Sequence, residues 1–152
     1  MNIDLSIYTT LIFVNFLILV SVCFFDGKYR KIPNNLSKTA LIFSILVALY
    51  NGYLLTSISI AILSFFVFFI LWYVKVIGAG DVKLIGALII GIQPDFVIIT
   101  LIFIGFFGGV LVSIMYIIGK TVGFDGYKKG IPYGIPIALS CFIFSTISIL
   151  SN

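Results

Sequence analysis

Histidine and glutamate are absent from the 152-residue sequence, and charged residues make up only 9% of it. Without histidine there is no Ser-His-Asp or Cys-His machinery, no histidine general base and no His-rich zinc site. The two cysteines, Cys23 and Cys141, stand in separate apolar segments without C-x-x-C spacing. Each therefore reads as a buried, unpaired, apolar-like residue, and no metal or other cofactor is expected. The acids are five aspartates, Asp4, Asp26, Asp81, Asp95 and Asp125, a short list from which any carboxylate chemistry must draw.

What fills the chain instead is hydrocarbon. Hydrophobic residues reach 62%, where a soluble domain of this size stays nearer half. A membrane-crossing helix needs about 20 apolar residues, so six of them would use nearly all of the chain. The expectation is an all-α, polytopic membrane protein, a single transmembrane domain over residues 1–152 with no room for a separate soluble one. The net charge of +4 does not point to nucleic acid, because the Lys and Arg residues fall between apolar segments, where membrane topology puts them.

The first apolar segment runs from about Leu5 to Phe25. Its start carries Asp4 rather than a basic run and its apolar part is too long for a signal peptide, so it reads as a retained helix. A polar stretch from Asp26 to Asn35 follows, in which Pro33 blocks a continuing helix. The second segment, about Thr39 to Tyr50, is short and ends at the turn signal Asn51-Gly52. The third, about Ser57 to Ile77, carries Trp72 and Tyr73 as interfacial anchors. The fourth, Asp81 to about Gln93, reaches only about 20 Å against a hydrocarbon core of about 30 Å. The fifth, about Phe96 to Ile118, contains Gly105 and Gly109 at G-x-x-x-G spacing, which lets helices pack closely. The sixth runs from about Ile131 to Leu150.

Charge parity decides whether the short fourth segment crosses. Lys28, Arg30, Lys31 and Lys38 lie in the first connection, Lys75 and Lys83 in the third, and Lys120, Lys128 and Lys129 in the fifth. The connections around Asn51 and around Gln93-Pro94-Asp95 hold no basic residue. Six crossings put every basic connection on the cytoplasmic side of the cell membrane, with both termini outside. Asp26 and Asp81 then share the cytoplasmic side, while Asp4 and Asp95 lie outside and Asp125 sits in a Gly- and Lys-rich loop.

An acid inside such a chain is costly and marks a functional site by default. Asp81 belongs to Gly78-Ala79-Gly80-Asp81-Val82-Lys83-Leu84, where a crossing helix this short sinks it within the bilayer boundary. Three readings of Asp26 and Asp81 stay open on these grounds. They are a proteolytic pair that activates water and protonates a leaving amine, a proton or ion path in a small transport subunit, or surface acids that cap helices. Helix-end electrostatics lead us to expect Asp81, at a helix start, to ionise before Asp26, at a helix end. Lys83 reads as tuning Asp81 or reaching for the surface. Two chance matches are set aside. Gly119-Lys120-Thr121 lacks the first glycine of a phosphate loop, and Lys83 stands where G-x-G-x-x-G needs its third glycine.

Asp26 with Ile32-Pro33-Asn34, together with Gly78-Ala79-Gly80-Asp81, resembles the type IV prepilin peptidases, G-x-G-D membrane aspartyl proteases. Their first aspartate precedes a proline by seven residues, as Asp26 precedes Pro33, and Ile131-Pro132-Tyr133-Gly134-Ile135-Pro136 resembles their last helix start. The resemblance implies Asp26 and Asp81 as catalytic residues, with Gly78, Gly80, Lys83, Pro33 and Asn34 as supporting positions. It implies prepilin-like substrates whose short basic leader is cut at the cytoplasmic face, usually after a glycine and before an apolar helix. The paired C-x-x-C motifs of larger members that also methylate are missing, so neither methylation nor zinc is expected. The compact form is closer to the small peptidases of tight-adherence (Flp-type) pili or to preflagellin peptidases. Presenilin-like proteases also carry G-x-G-D, but their first acid follows tyrosine where Phe25 stands here, and their Pro-Ala-Leu motif is not found.

Overall fold

A computed structural model describes residues 2–75, 77–122 and 130–151, without the side chains of residues 2–4 and 122. The Asp4 side chain, Asp125, Lys128 and Lys129 lie outside the described residues. All regular structure among the described residues is helical: α1 (Asn2–Tyr29), α2 (Asn34–Tyr50), α3 (Leu54–Tyr73), α4 (Ala79–Ile89), α5 (Pro94–Val122) and α6 (Gly134–Leu150). Three of them are long and apolar enough to cross a membrane, over Leu5–Tyr29, Leu54–Tyr73 and Pro94–Thr121. Large apolar side chains cover the outside, among them Leu55, Ile98, Phe106 and Leu63. A surface of that kind is stable against lipid and not against water.

Helix boundaries move from the expected ones for local reasons. α1 continues through Asp26 to Tyr29 and stops where Arg30 adopts φ 54°. A left-handed residue other than glycine costs about 1–2 kcal/mol, and the Arg30 N–H still bonds back to the Asp26 carbonyl at 3.0 Å. Pro33, extended at φ −61° and ψ 139°, caps α2. α2 therefore begins at Asn34, five residues before the expected Thr39, and gains the length that segment seemed to lack. α3 ends at Tyr73, with Lys75 at φ 63° turning the chain. The Ile131-Pro132-Tyr133 stretch precedes α6 rather than opening it.

α4 is the centre of the bundle, and its 11 residues rise only about 16 Å. α2, α3 and α6 pack around it, and Val82, Leu84, Ile85, Ala87, Leu88 and Ile89 are all buried. A helix sheathed on these sides meets little lipid, so its shortness leaves no apolar length unmatched. Its far end is pinned by polar contacts. The Tyr53 hydroxyl donates to the Gly91 carbonyl at 3.1 Å, and the Ser57 hydroxyl to the Ile92 carbonyl at 3.3 Å. The Gln93 N–H donates to the Ser148 hydroxyl at 2.8 Å. These bonds satisfy the carbonyls and N–H that the short helix leaves over.

One expected packing element is corrected. A β-carbon placed on Gly105 or Gly109 would meet no atom within 4 Å, so among the described residues no other helix packs against the G-x-x-x-G face of α5. The cysteines divide: Cys141 is buried and Cys23 only partly so, and both are unpaired.

Candidate active site

Asp26 lies in the last turn of α1, where unsatisfied carbonyls make a poor setting for a carboxylate. The bundle supplies the compensation from another helix. The Gly134 N–H, 108 positions later, donates to Asp26 Oδ2 at 2.7 Å, and the Ile135 N–H acts in the same sense. Both belong to the start of α6, whose exposed N–H groups and positive dipole end suit an anion. Gly134 has no room for a side chain. A β-carbon there would lie 2.8 Å from Asp26 Oδ2 and 3.0 Å from Ile32 Cδ1. Asp26 itself is only 5% exposed.

Asp81 is held differently, by its own helix. Gly78 is the N-cap of α4 and Asp81 its third residue, so α4 starts two residues before the expected position. The Gly78 N–H donates to Asp81 Oδ2 at 3.1 Å, the carboxylate half of a capping box. The helix-end difference behind the expected order of ionisation is offset here, because each carboxylate receives an N–H from a helix start.

Both aspartates line one cavity of about 620 Å³, bounded by Ile32, Gly80 and Tyr133 and ringed by Arg30, Lys31, Lys75 and Lys83. The charge of Asp26 reaches Asp81. Two carboxylates that line one cavity repel each other when both are ionised. Asp95 is exposed in the first turn of α5, and the cavity does not include it. Among the described residues, no three Cys or Asp side chains gather as a metal site would require.

The supporting residues take specific places. Pro33 caps α2, and Asn34 is that helix's first residue. Lys83 Nζ donates to Asn34 Oδ1 at 3.2 Å, tying α4 to α2 rather than neutralising Asp81. Gly80 is less constrained than its motif suggests, since a β-carbon there would make ordinary contact with Ile32 at 3.6 Å. At Gly78 it would press Asp81 Oδ2 at 3.0 Å.

Two residues escaped the sequence reading as parts of the site. Arg30 reads in the sequence as a topology marker, yet it lines the cavity, its charge acts on Asp26, and its Nη1 is buried without a hydrogen-bond partner among the described residues. Gly134 lay inside a recognised stretch, but its role depends on a contact between chain ends. The one local hint was glycine at a helix start.

A sequence-family model described as the type IV leader peptidase family matches residues 12–114. The chain belongs to the type IV leader peptidase family. It is accordingly a peptidase, a hydrolase of peptide bonds. The matched stretch of this leader peptidase relative contains Asp26, Pro33 and Gly78 to Asp81 and stops short of α6. No curated protein and no solved structure matches the chain.

Proposed function

We propose that the protein is an aspartyl endopeptidase of the cytoplasmic membrane. It removes the short basic leader from prepilin-like precursors, with Asp26 and Asp81 as the catalytic pair. The observation that carries this reading is the single cavity lined by both acids, each with a helix-start N–H on its carboxylate. The ionised member takes a proton from a water, whose oxygen attacks the scissile carbonyl carbon. The protonated member then gives its proton to the amine nitrogen as the C–N bond breaks, leaving a new carboxyl end and a new amino end. The pair ends the cycle one proton exchanged and ready again, with no metal or histidine in the scheme. Arg30 Nη1, buried without a hydrogen-bond partner among the described residues, keeps a donor for a peptide carbonyl of the bound chain once that chain displaces what covers it.

Orientation follows from charge and chain path. α4 runs from the aspartate cavity to contacts with the α2–α3 turn and the α6 end. That path supports six crossings with both termini outside, within one transmembrane peptidase domain. The basic residues around the cavity support a cytoplasmic active site by the positive-inside rule. A basic leader stays on that same side. A proton or ion path draws less support, because Ile85, Leu88, Ile89, Ile137 and Ile149 fill the interior beyond the cavity.

Co-expression with a prepilin-like chain, carrying a basic leader, a glycine and then an apolar helix, tests the reading. Asp26→Ala and Asp81→Ala should each lower processing about 10²–10⁴-fold at unchanged expression. Processing at the wild-type rate by either variant would refute the pair. For the wild-type enzyme, kcat/KM should fall on both sides of an optimum pH, as one acid and one base require.

A further inference from the structure

A second cavity, about 700 Å³, opens as a groove between α2 and α3 with α4 as its floor. Small residues line its floor and wall, Gly86, Ala87 and Ala61 among them, and a β-carbon on Gly86 would already press Phe65 at 3.2 Å. Leu41 and Phe66 form its rims and are 36% and 60% exposed, so it opens toward the lipid. The groove adjoins the aspartate cavity, because Asn34 and Lys83 line both.

We propose that this groove receives the apolar helix that follows the scissile bond of the substrate, placing the cut site in the aspartate cavity next door. The inference rests on the peptidase reading above and names where the uncut chain is held. A helix presents its side chains as ridges, and a cleft with a small-residue floor takes one such ridge. At the cut site the chain must leave the helix and run extended, which frees backbone N–H and C=O groups. At that depth they need polar partners. The Asn34 amide and Lys83 ammonium stand at that junction, 3.2 Å apart, able to exchange their mutual bond for bonds to the peptide. A lipid chain would fill the apolar part but would need nothing from the aspartate cavity, so the wall that the two cavities share at Asn34 and Lys83 favours the peptide.

The test uses the full-length enzyme in membranes and a chain of basic leader, glycine and apolar helix. A photo-crosslinking residue replaces Leu41, Phe66 or, on the lipid-facing side of α5, Phe106. It is placed in an Asp81→Asn background, so that the substrate stays uncut. The positions at Leu41 and Phe66 should label the apolar helix at least about tenfold more than the position at Phe106. In the active enzyme, Ile62→Trp should raise KM about tenfold, equivalent to about 1.4 kcal/mol, with kcat within about twofold. Labelling of lipid alone from the groove, or equal substrate labelling from Phe106, would overturn the proposal while wild-type cleavage leaves the peptidase reading intact. If the wild type cuts no such chain, both fall together. Should Ile62→Trp fail to accumulate, the crosslinking result decides.

Discussion

The two acids of the site are the same residue type in the same cavity, yet they are held in opposite ways. Asp81 binds the N–H of Gly78, three residues before it, within one turn of its own helix. Asp26 binds the N–H of Gly134, at the start of a helix 108 positions away. The first contact forms whenever α4 forms. The second exists only when α1 and α6 have packed. A local contact makes Asp81 robust, whereas Asp26 depends on the register of two helices and reports on the packing of the whole bundle. At the other end of α4, the bonds given by Tyr53 and Ser57 and the one accepted by Ser148 make up the same kind of long-range support, without chemistry attached.

Gly134→Ala should break this comparison most sharply. Its β-carbon would lie within 3.0 Å of Asp26 and Ile32, and relieving such overpacking costs about 1–3 kcal/mol. Borne by the carboxylate, that predicts a fall of about 10- to 100-fold in leader cleavage with helical content retained. Cleavage within about twofold of wild type would show that the α6 contact does not position Asp26.

The motif glycines offer a finer test. Gly78→Ala should lower cleavage about tenfold, about 1.4 kcal/mol, because its β-carbon reaches Asp81 Oδ2 at 3.0 Å. Gly80→Ala should leave cleavage within about twofold, and by replacing a helical glycine could raise stability by up to about 1 kcal/mol. Equal losses at the two positions would mean that Gly80 serves the substrate rather than the fold.

The smallest expected effect on chemistry is at the opposite end. Ser148→Ala removes the acceptor of the Gln93 N–H and should cost about 1–3 kcal/mol of stability. Cleavage per folded molecule should not change. Thermal unfolding in detergent, followed beside cleavage, checks it, and a parallel loss of both would tie the two ends of α4 together.

Much of this arrangement was legible in the sequence because its causes are local. Apolar run length yields the helices, Pro33 and Gly78 place helix starts, and the five aspartates leave few candidates for carboxylate chemistry. Helix ends were less legible. Arg30 and Lys75 stop α1 and α3 in a left-handed conformation that residue type does not announce. The close packing expected at Gly105 and Gly109 finds no partner among the described residues, since small-residue spacing permits close approach without naming one.

Taken alone, the sequence determined that the chain is helical and membrane-like, that aspartates are its only acidic side chains, and that Asp81 would sit at the start of a short helix. Those properties depend on composition and on contacts within one turn. Only the tertiary structure decided that α4 is buried at the centre, that the start of α6 supplies the N–H groups Asp26 lacks, and that Arg30 faces the cavity. Each requires helices distant in the chain to meet, and in a uniformly apolar chain no residue pattern specifies which helix faces which.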